Sequence, residues 1–469
     1  MPDSKQDLLR NLPSVTELLK SEAVAGWLRQ QPQSLVTECL RRALAGVRQQ
    51  IREDTAGQRG TLAVTAEAVL ERAGTLLQQA AQPQVRQAIN ATGIILHTGL
   101  GRAVFPECVV DSMIPELKGC VNLAVDRESG ERIERDELIE PLLIELTGAE
   151  AGTVVNNNAG ATLLVLAALA AQREVIVSRG QLIEIGGSFR LPDVMQQSQA
   201  RLVEVGTTNR THLKDYRNAI TESTAAIMRV HPSNYRVIGF TSEVGLRELA
   251  ELAHSRGLLL IDDLGAGALL DLRQFGLPYE PTARESIETG ADVALFSADK
   301  LIGASQGGVI VGRKEAITKI RKHPLMRALR VDKTCIMVLE RTLRLFRDPE
   351  LLRREHPTYR MVTTPLDVLQ KRANALVQAI KQEAPHVKAD ICESKAYVGS
   401  GSVPTEAIPS LAVSVRAEGL SATELARRLR LDAACVFGRI EAEQVLLDVR
   451  TVTDEHVPVI AEVLARIAP

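Results

Sequence analysis

Aromatic residues are scarce in this chain, at 3% of 469 residues. Aliphatic side chains must therefore fill its cores. Cysteine is equally thin: Cys39, Cys108, Cys120, Cys335, Cys392 and Cys435 are scattered along the sequence. None forms a C-x-x-C pair or stands near a histidine at metal-ligand spacing, so neither a zinc site nor another metal site is expected. Six such cysteines in a large chain read as reduced thiols of a cytosolic protein. Long apolar runs are missing too. The stretch 163–171 is among the longest and is too short to cross a bilayer. The opening Met1-Pro2-Asp3-Ser4-Lys5-Gln6-Asp7 has no apolar signal core. A cytoplasmic protein with no membrane partner is expected. Net charge is nearly absent, at −2, so any polyanion site must be a local basic patch.

What is present is a soluble globular composition, 45% hydrophobic and 24% charged, long enough for several domains. Residues 1–60 read as a helical N-terminal module. Leu8, Leu9 and Leu12 begin one apolar stripe, and a helix over about 34–52 carries Leu35, Cys39, Leu40 and Ala43 on one face. Asp54-Thr55-Ala56-Gly57 breaks the pattern, and a linker helix fills 61–82. From residue 83 to 348, short apolar runs alternate with amphipathic segments. Strands are expected at 152–155, 174–177, 201–205, 225–230, 258–261, 293–296 and 308–311. This is an α/β pattern, a mostly parallel sheet flanked by helices. Helices are expected at 316–322 and 324–346. Residues 349–469 read as a small α+β domain, with helices near 366–383 and 422–429 and strands at 411–415 and 444–449.

Lys300 is the most informative residue. It follows the run Val293-Ala294-Leu295-Phe296 and precedes the turn Gln306-Gly307-Gly308. An isolated lysine is usually a solvated charge. One placed between a buried strand and a glycine-rich turn suits a Schiff base with pyridoxal 5'-phosphate. Upstream, Leu258-Leu259-Leu260-Ile261 ends in Asp262-Asp263. A carboxylate closing a buried strand is the expected partner of the cofactor's pyridine nitrogen. Adjacent strand residues face opposite ways, so only one of the two should serve. Asp263 is favoured because the turn Leu264-Gly265-Ala266-Gly267 follows it, but Asp262 remains open.

Earlier still, Val154-Val155 leads through Asn156 into Asn157-Asn158-Ala159-Gly160 and a helix. Small residues at such a turn let backbone N–H groups approach a phosphate. Read alone, it is equally a tight turn with an asparagine cap. In the order phosphate cup, acid, lysine, it reads as a cofactor site. A third constellation is basic: 313–333 holds eight Lys or Arg against Glu315 and Asp332. Arg327 and Arg330, three apart on the expected helix, should share a face and fork around a phosphate-like anion.

Several polar islands complete a resemblance. These are Asn90-Ala91-Thr92-Gly93, Gly99-Leu100-Gly101-Arg102, Asn156-Asn157-Asn158-Ala159, the stretch from Ser178-Arg179-Gly180 to Phe189-Arg190, Glu204-Val205-Gly206-Thr207-Thr208-Asn209-Arg210, Asp262-Asp263-Leu264-Gly265 and Ser297-Ala298-Asp299-Lys300-Leu301. Together they resemble bacterial selenocysteine synthase, the L-seryl-tRNA(Sec) selenium transferase family, over nearly the whole chain. The resemblance implies a type I pyridoxal fold. It implies conversion of seryl-tRNA(Sec) to selenocysteinyl-tRNA(Sec) with selenophosphate, by β-elimination of the serine hydroxyl through an aminoacrylyl-tRNA. It also implies that Arg102, Arg327 and Arg330 bind the anion, that the N-terminal module contacts tRNA, and that the chain assembles as a homodecamer built from dimers. Within that module Arg41, Arg42, Arg48 and Arg52 form the basic cluster. The sequence departs from the family where Ala298 precedes Asp299 and where the loop Gly399-Ser400-Gly401-Ser402-Val403-Pro404 is less glycine-rich. Two alternatives fit less well. A pyridoxal lyase of a free amino or sugar acid needs no N-terminal tRNA module. A silent tRNA-binding scaffold needs no Lys300.

Overall fold

A computed structural model describes residues 5–53, 65–185, 189–232, 235–403 and 406–468. The expected breaker at 54–57, the first residues of the linker helix, Gly186-Gly187-Ser188, Ser233-Asn234 and Pro404 lie outside the described residues. The chain divides into two compact units, 1–87 and 88–469.

The first unit is helical, with Lys5–Arg10, Val15–Leu18, Glu22–Leu28, Gln33–Glu53 and Ala66–Ala81. Apolar residues spaced three or four apart make the long helix amphipathic: Val36, Cys39, Leu40, Ala43, Leu44, Val47 and Ile51 are all buried. Val69, Ala73 and Leu77 of Ala66–Ala81 lie in the same core, so this helix is part of the packed unit. Ser14, Ser21 and Thr65 cap helix starts through their hydroxyls. Arg41, Arg42 and Arg48 are exposed.

The second unit is built on a seven-stranded sheet: β1 (Ala151–Val155), β2 (Glu174–Ser178), β3 (Arg201–Val205), β4 (Thr224–Val230), β5 (Leu259–Gly265), β6 (Val293–Ser297) and β7 (Gly308–Gly312). The spatial order is β1-β7-β6-β5-β4-β2-β3. All pairs are parallel except those of β7, which runs antiparallel to β1 and β6. β1, β6 and β7 are buried along their whole length, as continuous apolar runs covered on both faces require. β5 runs longer than expected, so Asp262 and Asp263 lie within the strand instead of closing it.

The expected helix 324–346 is two helices, Pro324–Ala328 and Lys333–Leu345. Leu329 leaves helical geometry, and Asp332 starts the second helix by accepting from Cys335 N at 2.8 Å. Helices Pro349–Glu355, Pro357–Thr363 and Leu366–Glu383 lead to an antiparallel sheet of β8 (Val387–Ala396), β9 (Ile408–Ala417), β10 (Arg439–Glu441) and β11 (Gln444–Asp448), ordered β8-β9-β11-β10. Residues near the start of this unit run beside that C-terminal region: Ile89 pairs with Val436, and Ile94 bridges Tyr397. No described helix is long and apolar enough to cross a membrane.

Candidate active site

The carboxyl end of the sheet gathers side chains from distant parts of the chain, as expected where parallel strands end together. β6 delivers Ser297, Asp299 and Lys300 to the wall of a cavity of about 350 Å³, a size common for small-molecule sites. The turn after β6 is closed by Ala298 N donating to Gly307 O and Ala304 N to Ala298 O, at 2.8 and 2.9 Å. Lys300 is 6% exposed. Burial holds its amine below the ordinary lysine range. Asp299 opposes that shift, Arg102 adds to it, and Asp263 and Glu280 oppose it.

The two adjacent aspartates part company by strand alternation. Asp263 lines the cavity. Its Oδ1 accepts from Asn158 Nδ2 at 3.0 Å and Gly265 N at 3.2 Å, and its Oδ2 from Thr162 Oγ1 at 3.2 Å. Burial pushes its pKa up, while these donors and the Lys300 charge pull it down. Asp262 is fully buried and held elsewhere. Arg229 grips it through Nε and Nη2 at 2.6 and 2.7 Å, and Ser286 Oγ donates at 2.5 Å.

The start of helix Asn158–Ala170 forms another wall through Asn157, Asn158 and Ala159. Asn157 caps that helix by accepting from Gly160 N at 2.8 Å. Gly160 N–H is thereby committed to the cap. The N–H groups of Asn158 and Ala159 have no carbonyl a turn earlier to bond, the usual condition of an anion-binding helix start. Asn158 Oδ1 is buried without a hydrogen-bond partner. β7 packs tightly behind: a Cβ at Gly308 would stand 2.3 Å from Asn157 O.

Arg102 reaches the cavity from a left-handed backbone (φ 64°) that follows Gly101 (φ 92°). The other two predicted arginines do not line the cavity. The helix ends at Ala328, so Arg330 shares no helix face with Arg327. It lies in extended backbone bridging Val155, next to Leu329, whose carbonyl accepts from Asn156 N at 2.9 Å. The segment bearing Arg330 thus runs beside the end of β1 that feeds the cup. Partial desolvation, then the charges of Arg135, Arg327 and Arg132, lower the Arg330 pKa against the pull of Glu134. These four arginines form a basic cluster.

Two functional candidates escaped the sequence reading. His231 lines the cavity, and its Nε2 stands 3.1 Å from Glu280 Oε1 without forming a hydrogen bond. Glu280 is 4% exposed. A polar residue directly after the apolar run of β4 was the available signal for His231, whereas nothing local marked Glu280. Thr162 and Arg229, which fix Asp263 and Asp262, also went unnoticed. No group of three His, Cys, Asp or Glu suited to a metal occurs among the described residues.

Comparison with known proteins agrees with this architecture. A solved structure of D-glucosaminate-6-phosphate ammonia-lyase superposes with a TM-score of 0.56 at 22% identity, covering 83% of this chain and 97% of that one. The shared fold is the type I pyridoxal-enzyme fold. The family described as L-seryl-tRNA selenium transferase matches residues 88–453, and that described as selenocysteine synthase N terminal matches 9–48. L-seryl-tRNA(Sec) selenium transferase of Caldanaerobacter subterraneus subsp. tengcongensis is 43% identical, covering 98% of this chain and 99% of the relative. Its namesake in Methylocella silvestris is 45% identical, covering 97% of each, and that of Geobacter sulfurreducens 42%, covering 98% and 99%. The chain belongs to the L-seryl-tRNA selenium transferase family and is an enzyme of that kind.

Proposed function

We propose that this enzyme converts L-seryl-tRNA(Sec) to L-selenocysteinyl-tRNA(Sec), with selenophosphate as selenium donor and pyridoxal 5'-phosphate as cofactor. The observation that carries the reading is one cavity walled by a buried lysine, a buried carboxylate and a helix start. These residues fit the cofactor. Lys300 Nζ would hold it as a Schiff base, Asp263 would face its ring nitrogen, and Asn157, Asn158, Ala159 and Gly160 would cradle its phosphate, with Gly160 acting through the cap. The unpartnered Oδ1 of Asn158 leaves one acceptor ready for a donor. When bound, the cofactor supplies the electron withdrawal that makes the serine α-proton acidic.

The chain's own groups do the rest. Burial lowers the Lys300 pKa and so shifts it toward the amine form needed to take the α-proton. Asn158, Thr162 and Gly265 keep Asp263 oriented, and its ionised carboxylate would favour a protonated ring nitrogen. Arg102, Arg327 and Arg330 bind the selenophosphate anion. In the first unit, Arg41, Arg42, Arg48 and Arg52 contact tRNA phosphates, and that binding weakens with salt. A cytoplasmic setting and a homodecamer built from dimers belong to the same reading.

The test is incubation with seryl-tRNA(Sec), selenophosphate and pyridoxal 5'-phosphate, followed by identification of the esterified amino acid. Selenocysteine is expected on the tRNA. Recovery of serine alone, under conditions where a characterised relative is active, overturns the reading.

A further inference from the structure

Behind the cavity, the turn after Lys300 is held from the far side by one helix. Tyr359 of Pro357–Thr363 donates its hydroxyl to Leu301 O at 3.0 Å. His356, which caps that helix, places Nε2 2.9 Å from Ile302 O, and its Nδ1 accepts from Thr358 N at 3.2 Å. That pattern fixes the tautomer: Nδ1 is bare and Nε2 carries the proton. Burial pushes the His356 pKa down to about 4, so the ring stays neutral and keeps one donor and one acceptor.

The fit is close. Gly303 has a φ of 71°, and a Cβ there would fall 2.1 Å from the imidazole. Phe275 and Phe346 pack on Tyr359 with centroids 4.6 and 5.8 Å away, and His356 meets it edge-on at 5.1 Å. A chain with few aromatic residues concentrates them here. The helix is itself anchored. Arg450, 3% exposed, donates through Nη1 to Met361 O, Val362 O and Thr364 O at 2.8, 3.2 and 3.0 Å, and through Nη2 to Pro409 O on β9 at 2.5 Å. The hydrogen-bond chain thus runs from the C-terminal sheet to the two carbonyls that follow Lys300.

We propose that His356 and Tyr359 are positioning residues for Lys300: by holding the Leu301 and Ile302 carbonyls they set the direction in which the lysine leaves β6. The inference rests on Lys300 being the attachment site proposed above. Neither residue lines the cavity, so they act through the turn.

The test uses full-length wild type, His356→Leu, His356→Gln and Tyr359→Phe. Each is mixed with pyridoxal 5'-phosphate and reduced with borohydride at timed intervals, and labelled lysines are mapped by peptide mass spectrometry. His356→Leu should slow labelling of Lys300 about tenfold, since small misplacements of a reacting group cost that much or more, while labelling of exposed lysines is unchanged. His356→Gln, whose amide can still donate to Ile302 O, should recover most of the rate. Should His356→Leu fail to fold, Tyr359→Phe, which removes one oxygen, carries the test with a smaller slowing. Wild-type labelling in the leucine and phenylalanine variants, or a loss that glutamine does not restore, overturns the positioning role. Absence of label at Lys300 in wild type instead overturns the attachment reading.

Discussion

Arg102 Nη1 lies 2.5 Å from Asp299 Oδ2, one residue before Lys300. Arg102 makes this contact from a backbone conformation that non-glycine residues seldom adopt, so the surrounding fold must hold it there. The pair places a positive and a negative charge beside the lysine, with opposite effects on its pKa. Asp299→Asn should therefore lower the Lys300 pKa further and free Arg102. The check is the pH dependence of Lys300 labelling by pyridoxal 5'-phosphate. Its midpoint should move to lower pH in Asp299→Asn and to higher pH in Arg102→Met. Unmoved midpoints in both would remove this electrostatic role.

The same lowered pKa makes a statement about stability. A lysine depressed in the folded state binds fewer protons there than in the unfolded chain, so stability rises with pH between the two pKa values. The window runs from the depressed value of Lys300 up to 10.5. Below the window the penalty of burying the charge is fully present, and above it the penalty is gone. Cofactor-free protein should show this rise in urea unfolding, and Lys300→Met should lose that component. An identical slope in both proteins would contradict it.

Asp262 and Asp263 should fail in different ways. Asp263→Ala should load pyridoxal 5'-phosphate poorly, read by the absorbance of the bound cofactor, because the carboxylate proposed to face the ring nitrogen is gone. Asp262→Ala leaves Arg229 without its buried partner, at a cost of about 3–5 kcal/mol of stability in denaturant unfolding. Its cofactor absorbance, measured while folded, should stay near wild type. The opposite assignment of the two defects would reverse their roles.

These two aspartates show where sequence reading stops. All seven strands of the large sheet were legible, because buried β-branched runs separated by helix-length segments have few other interpretations. Alternation says that Asp262 and Asp263 point apart, but not which faces the cavity. Only the fold reveals that Arg229 and Ser286 stand on one side, and Asn158 and Thr162 on the other. The helix face expected to be shared by Arg327 and Arg330 is missing for a local reason. Pro324 marked the helix start correctly, yet Asp332, a legible cap for the next helix, also implied an end before it. Glu280 beside His231, and the His356 clamp, were out of reach because they depend on contacts between distant segments.

The arginine cluster predicts a split between loading and turnover. Arg327 and Arg330 do not line the cavity, so Arg327→Ala with Arg330→Ala should leave cofactor absorbance intact and impair selenium transfer. Because the cluster includes Arg132 and Arg135, the double variant should retain some anion binding. Its apparent KM for selenophosphate should rise more than its kcat falls. Equal turnover at low selenophosphate would end the assignment.

Gly308 offers a steric test of the cup. A methyl group there would meet Asn157 O at 2.3 Å, Asn157 C at 2.6 Å and Ala161 Cβ at 2.9 Å. Two of these atoms are backbone, so the strand or the helix start must shift. Gly308→Ala should cost about 1–3 kcal/mol, as overpacking usually does, and should displace the N–H groups of Asn158 and Ala159 from any phosphate. Affinity for pyridoxal 5'-phosphate should fall more than affinity for pyridoxal, which lacks the phosphate. Equal losses for both ligands would mean that the helix start does not bind phosphate, whatever the change in stability.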